Sequence, residues 1–197
     1  MNLLLKNSIE KYTHQLLSAD CEADFNKLIV EKKFDKKTKL VEEGQYCKFI
    51  YFIIEGSCYS YFTDPKGEQQ VIQLALEGYW ISDLSSFYSN GKAIYTIETI
   101  ESTTVLMISR DNFEKACATI PIFERYFREL IQNAYVAMQQ RLARSSSEDA
   151  EKRYIELTKS HPDFLQRIPQ YLIASYLGIK PQSLSRIRKK IAAKKDQ

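Results

Sequence analysis

QYLIASYLGIKPQSLSRIRK, residues 170–189, decides how the rest of the chain is read. Its apolar residues fall at Ile173, Leu177, Ile179, Leu184 and Ile187. Ala174 is small enough for two helices to cross closely, and Gly178 stands where the chain must turn sharply between them. That is the pattern of a helix-turn-helix: a first helix, a short glycine-containing turn, and a second helix whose outer face is free to enter the DNA major groove. The free face carries Gln182, Ser183, Arg186, Lys189 and Lys190, with Arg188 nearby. Arg and Gln read base edges by paired hydrogen bonds, while Lys and Ser hold phosphates. The expected assignment is therefore Arg186 and Gln182 to bases, with Lys180, Ser183, Arg188, Lys189 and Lys190 mainly to phosphate. Two packed helices with a solvated basic face would show some of these signals. They would not be expected to show the small residue, the turn glycine and all five apolar positions together. Lys180 departs from the pattern, because it occupies the N-cap position where a Ser or Thr oxygen is preferred. Pro181 at the first helical position partly compensates, since its fixed φ suits a helix start.

The distribution of charge points the same way. Over 197 residues the net charge is only +3, yet residues 141–197 hold 13 Lys/Arg against 6 Asp/Glu, and the remaining 140 hold 15 against 19. Basic charge is thus concentrated in the C-terminal quarter, as expected of a segment that meets phosphate. Lys194 and Lys195 read as a solvated tail. No apolar run is long enough to span a bilayer, and the start, MNLLLKNSIEKY, turns polar too soon for a signal peptide. Cys21, Cys47, Cys58 and Cys117 are widely scattered, at no metal-ligand spacing and in no iron–sulfur cluster pattern. A reduced cytoplasmic compartment is the simplest inference, with each thiol a small apolar filler. An enzyme is disfavoured. The two histidines, His14 and His161, lie in different regions, and no Ser-His-acid or Cys-His arrangement, phosphate-cradling glycine loop or zinc motif appears.

Upstream the texture changes twice. Residues 8–30 read as short helices, with apolar positions at Leu16, Leu17, Phe25, Leu28 and Ile29. From about 31 to 109 come short β-rich runs: FIYFII at 49–54, CYSYF at 58–62, VIQLAL at 71–76, then YTIETI and TTVLMI near 95–108. Gly44, Gly56, Gly67 and Gly78 break them at intervals of 12, 11 and 11 residues. Regular short strands with turn glycines predict a compact antiparallel barrel or jelly roll. Asp64-Pro65-Lys66-Gly67 is a turn, because Pro presets φ and Gly accepts a positive one.

A long helix is predicted from Pro121 to Ala143. Phe123, Phe127, Leu130, Ala134 and Ala137 repeat at alternating steps of four and three, a short heptad-like seam widened by Tyr126, Ile131 and Met138. One face of this helix would pack on the barrel, another on a partner copy. A homodimer matches the DNA-binding reading, since dimeric readers use two half-sites about one helical turn apart. Ser145-Ser146-Ser147 reads as a hinge, Asp149 or a nearby serine as the cap of the next helix, and His161-Pro162 as that helix's end.

In this order the chain resembles the catabolite activator/FNR (Crp/Fnr) family of bacterial transcription regulators. The resemblance rests on L40-V-E-E-G44, I50-Y-F-I-I-E-G56, D64-P-K-G67, Gly78, the long helix and the helix-turn-helix. It implies an α+β fold: an N-terminal antiparallel β-roll, jelly-roll-like and of the cyclic-nucleotide-binding type, then a dimerisation helix and a C-terminal helix-turn-helix domain. The expected division is 1–118, 119–146 and 147–197. The segment between the two helices of the DNA domain is short, which disfavours a wing hairpin.

The resemblance fails at the cyclic-nucleotide pocket. Binding members carry a Gly-Glu pair and an Arg-Ser or Arg-Thr step; the aligned residues here are Ser82-Asp83 and Ala93-Ile94. Asp83 retains an acceptor for a hydroxyl, one methylene shorter. Ala93 cannot pair with a phosphate, and the loss of a bidentate charged contact is severe. Lys92 points the other way on an alternating strand. The expectation is no cAMP response. Gln73, Trp80, Ile81, Asp83, Tyr95 and Met138 are the candidate lining, suited to a small, partly apolar effector or simply filled as core. Haem is disfavoured for want of axial ligands. The expected partners are double-stranded DNA, a second copy and, for an activator, RNA polymerase, with no membrane. The rival reading is a sensor module of the same fold that does not bind DNA.

Overall fold

The run FIYFIIE does not alternate, and its burial explains why. In the computed structural model, which describes residues 1–195, it forms β3 (Phe49–Glu55), and Ile50, Tyr51, Phe52 and Ile53 are all buried. Ile50, Phe52 and Ile53 join a core with Val41, Cys58 and Ile97 from the facing sheet. A strand covered on both faces reads as a continuous apolar run.

Among the described residues, eight strands build two antiparallel sheets. Around β3 lie β1 (Val30–Phe34), β6 (Trp80–Ile81) and β8 (Thr103–Ser109), in the order β1-β8-β3-β6. The second sheet runs β2-β7-β4-β5, with β2 (Lys39–Val41), β4 (Cys58–Thr63), β5 (Gln69–Ala75) and β7 (Thr96–Thr99). This is the predicted β-roll. The sequence reading missed β1 and β2: β1, VEKKF, is charged and mostly exposed, and β2, KLV, is only three residues long. In β4–β5 the register pairs Cys58 with Ala75 and Thr63 with Gln69, closed by the predicted Asp64–Gly67 turn. The Asp64 carboxylate accepts from the amides of Lys66 and Glu68 at 2.8 and 2.9 Å. Gly56, between β3 and β4, has φ +96°, and a Cβ there would lie 2.6 Å from the Ser102 carbonyl oxygen, so only glycine fits.

Helices close the roll. The first, α1 (Leu3–Thr13), starts earlier than the predicted residue 8, capped by Asn2. Then come α2 (Ala19–Asn26), α3 (Leu84–Ser89), α4 (Arg110–Thr119) and α5 (Pro121–Ser147). The N-terminal part of α5 is core: Phe127 packs on Phe113 and Trp80 with ring centroids 4.6 and 5.4 Å away. Tyr126 accepts from the Trp80 indole and bonds Ser8, both at 2.8 Å. Burial pushes the Cys58 thiol up to about 12 and that of Cys117 to about 11. A thiol that resists ionisation is unreactive, which suits the filler role.

The predicted serine hinge is corrected. Ser145 and Ser147 lie inside α5, returning their hydroxyls to the carbonyls of Leu142 and Ala143. Serine satisfies helical carbonyls this way and need not break the helix. The break falls at Glu148–Asp149, and Asp149 caps α6 (Ala150–Ser160) by accepting from Lys152 N–H at 2.8 Å. Then follow α7 (Pro162–Arg167), α8 (Gln170–Tyr176) and α9 (Pro181–Lys195). Among the described residues after β8 there is no strand, hence no wing hairpin. The reading of Lys194 and Lys195 as a solvated tail lies outside the described side chains. No described helix is long and apolar enough to cross a membrane.

Candidate nucleic-acid interface and effector pocket

The turn between α8 and α9 follows from its hydrogen bonds. Gly178 has φ +67°; its N–H donates to Ser175 O at 2.9 Å, and that of Ile179 to Ala174 O at 3.0 Å. This paired closure after a left-handed glycine ends a helix abruptly. Ile173, Ala174, Leu177 and Leu184 are buried, and Ile179 and Ile187 pack at the edge. Inward burial of Leu184 and Ile187 forces the rest of α9 outward. Gln182, Arg186, Arg188 and Lys189 are exposed, and Ser183 is half-buried.

Two predicted phosphate contacts are already occupied. Lys180 Nζ donates to both carboxylate oxygens of Glu68, 2.7 Å each, in the β4–β5 turn. Lys190 Nζ lies 2.5 Å from Glu151, whose hydrogen bond holds the lysine above its ordinary pKa. The reason is tertiary: the C-terminal helical domain sits against its own β-roll. Tyr59, Tyr61, Val71, Leu74 and Leu76 share one apolar cluster with Tyr154, Leu157, Phe164, Ile168, Leu172 and Ile173.

The docked surface includes the edge of the second sheet. β5 pairs only with β4, and Ser175 takes up part of its free edge, accepting from Val71 N–H at 3.0 Å and donating to Gln69 O at 2.8 Å. Arg141 donates to Ile72 O at 2.7 Å while its guanidinium lies over the Tyr176 ring. Arg167 bridges Glu77 and Glu101 at 2.5 and 2.7 Å. Burial alone would raise Glu77, but the Arg167 contact and backbone donors leave it below the usual carboxylate range. Sequence reasoning missed Glu68, Arg141, Arg167 and Ser175, whose partners lie too far along the chain for any local spacing to reveal.

The seam on α5 is corrected. Phe123 and Phe127 are 1% and 4% exposed in their own subunit's core, so neither is free for a partner. The seam's continuation is free: Ala134 and Ala137 are exposed, as is every residue from 132 to 140. Tyr135, Met138 and Leu142 lie 55%, 54% and 69% exposed beside them.

Several of the candidate pocket residues are already engaged within the chain. The Asp83 carboxylate, fully buried, accepts from the amides of Ser86 at 2.9 Å, Ile94 at 2.7 Å and Tyr95 at 3.0 Å. It caps α3 and ties that helix to the 94–95 backbone, so the expectation that it accepts a ligand hydroxyl is corrected. Gln73 donates to Trp80 O at 2.9 Å, and the Trp80 indole is committed to Tyr126. Ile81 is core, Tyr95 is partly buried, and Met138 faces outward on α5. Ala93 is buried and Lys92 exposed, but both precede β7 in a loop, so the expected strand alternation is not what separates them. An open groove of about 430 Å³ lies elsewhere, bordered by Tyr46, Lys48, Asn90 and Arg110 among others.

Residues 31–120 match the family model described as the cyclic nucleotide-binding domain. The cAMP-activated global transcriptional regulator CRP of Escherichia coli is 20% identical over 174 residues, 80% of each chain. Residues 31–120 thus carry a cyclic nucleotide-binding domain, and the chain is similar to a transcriptional regulator over most of its length. Solved structures share the fold over most of the chain. The c-di-GMP responsive global regulator CLP of Xanthomonas campestris superimposes with a TM-score of 0.71 at 14% identity, covering 90% of this chain and 93% of that one. FixK2 of Bradyrhizobium japonicum gives 0.69 at 17% identity, covering 84% and 85%. CRP and CLP are both described as global regulators.

Proposed function

We propose that this protein is a cytoplasmic Crp/Fnr-type transcription regulator that binds a two-fold symmetric DNA operator as a homodimer and does not respond to cAMP. The observation that carries the reading is α9: it follows a tight turn, buries Leu184 and holds Gln182, Arg186 and Lys189 in solvent. A helix so presented suits the major groove, with Arg186 and Gln182 on base edges and Ser183, Arg188 and Lys189 on phosphate. Dimerisation is supported by the exposed stretch of α5, whose Ala134, Tyr135 and Met138 form an apolar face for a second copy.

Insensitivity to cAMP is supported by Asp83, whose carboxylate already serves three amides, and by Ala93, which offers no charge to a phosphate. Calorimetric titration with cAMP is expected to show no saturable heat; saturation at micromolar ligand would overturn this part.

The decisive experiment is selection of genomic fragments by purified protein without ligand, with cAMP as a parallel condition. An enriched two-fold motif without ligand is the expected result. Enrichment only with cAMP would show that the pocket is functional, and no motif in either condition would favour the sensor-module reading.

The Glu68–Lys180 pair sets a further expectation. A DNA phosphate at the start of α9 competes with Glu68 for the same ammonium. Because exposed ion pairs contribute at most about 1 kcal/mol, Glu68→Gln is expected to tighten operator binding roughly two- to fivefold. The gain should vanish in a Lys180→Ala background, measured by fluorescence anisotropy at fixed salt. If it persists there, Glu68 acts only through its general charge.

A further inference from the structure

Arg153 lies in the first turn of α6, where the positive end of the helix dipole disfavours a cation. Its own helix therefore does not account for it. The guanidinium donates to carbonyl oxygens of three segments: Ser145 near the end of α5 at 3.4 Å, Glu148 in the link at 2.5 Å, and Leu177 at the end of α8 at 3.1 Å. Carbonyls at helix ends lack intrahelical partners and carry partial negative charge, so one guanidinium satisfies two helix termini at once. Leu177 immediately precedes Gly178, the turn from which α9 departs. Only Glu148 and Asp149 separate α5 from α6. The Nε atom is buried with no hydrogen-bond partner, so the side chain is held there at a desolvation cost.

We propose that Arg153 is a positioning residue. By holding the end of α5 and the end of α8 in one planar fork, it fixes the angle of the recognition helix to the dimer helix, and with it the spacing of the two half-sites. The inference rests on the DNA-binding homodimer proposed above. In such a dimer the half-site separation is a geometric property of how the recognition helices are held. Rotation at a link this short would carry all of α9 with it. Lysine is a poor substitute, because a point-like ammonium does not reproduce the fork of a guanidinium.

The test uses the full-length protein and duplexes carrying its own selected half-site as an inverted repeat, with the central spacer lengthened or shortened one base pair at a time. The wild type is expected to prefer its best spacer over the neighbouring ones by about tenfold or more, since each base pair also rotates the half-site about the axis. Arg153→Gln is expected to flatten this preference to roughly threefold or less while the affinity for a single half-site is kept. Arg153→Lys should fall between. A merely structural role would weaken all spacers alike and leave the profile sharp, and that result overturns the inference. Should Arg153→Gln fail to fold, Arg153→Lys decides, and a profile as sharp as the wild type's overturns it equally. A wild type that selects no two-fold site overturns the proposed function, and the inference with it.

Discussion

Asp83→Ala is expected to lower the unfolding midpoint of the β-roll by roughly 6–20 °C, the largest stability effect of any single change considered. The carboxylate is fully buried and accepts from the amides of Ser86, Ile94 and Tyr95. Alanine leaves those donors without an acceptor and removes the cap of α3. Hydrogen bonds to a charged group contribute about 1.5–3 kcal/mol each and a cap about 1, and the losses overlap, so about 3–5 kcal/mol is expected in total. Asp83→Asn keeps an acceptor oxygen and should cost about 1–3 kcal/mol. Trp80, the single tryptophan, lies in the strand next to Asp83 in sequence, so its fluorescence follows the β-roll rather than the DNA domain. A midpoint for Asp83→Ala within a degree or two of the wild type would show that these three contacts are not what holds α3.

Arg186→Ala is expected to weaken binding to the preferred operator by about 1–3 kcal/mol and to relax specificity at one base pair of each half-site. Arg186 is exposed in the middle of the free face of α9, where a guanidinium has the reach and the paired donors to read a guanine edge. Lys189→Ala is the contrasting change. It should weaken all sequences alike and lower the slope of log affinity against log salt by about one, since one phosphate contact fewer releases one counterion fewer. Anisotropy titrations across a salt series, on the selected operator and on its single-base variants, separate the two. If Arg186→Ala binds the operator unchanged, the proposed docking of α9 is wrong. If Lys189→Ala changes base preference instead of salt slope, the two roles must be exchanged.

How legible this was depended on the range of the interaction. The helix-turn-helix was legible because its determinants lie within a few residues of one another: Ala174, Gly178 and Leu184 each answer to local geometry, and each sits as its residue type requires. The β-roll was legible through its glycines and the apolar run of β3, while β1 escaped because an exposed charged strand carries no hydrophobic period and β2 because three residues are too few to show one. The pocket was half legible. The absence of an arginine at Ala93 is a fact of sequence. That Asp83 turns inward to serve three amides is not, since its partners come from two segments brought together only by the fold.

The heptad-like step through Phe123 and Phe127 shows the limit from the other side. Periodicity marks an apolar stripe but not what covers it; here α4 and the β-roll cover the first half of the stripe and leave the second half open. The sequence by itself determined the elements whose causes are local: the reading helix and its turn, the turn at Asp64–Gly67, the cap at Asp149, and the concentration of positive charge at the C-terminal end. Only the tertiary structure decided which cations are free and which are held. Lys180 faces Glu68 across 112 residues of chain, Lys190 faces Glu151, and Arg153 joins two helix ends. The physical reason is that helix propensity, capping and turn closure act over a few residues. Burial and ion pairing act through space, between residues whose separation along the chain carries no information about their distance.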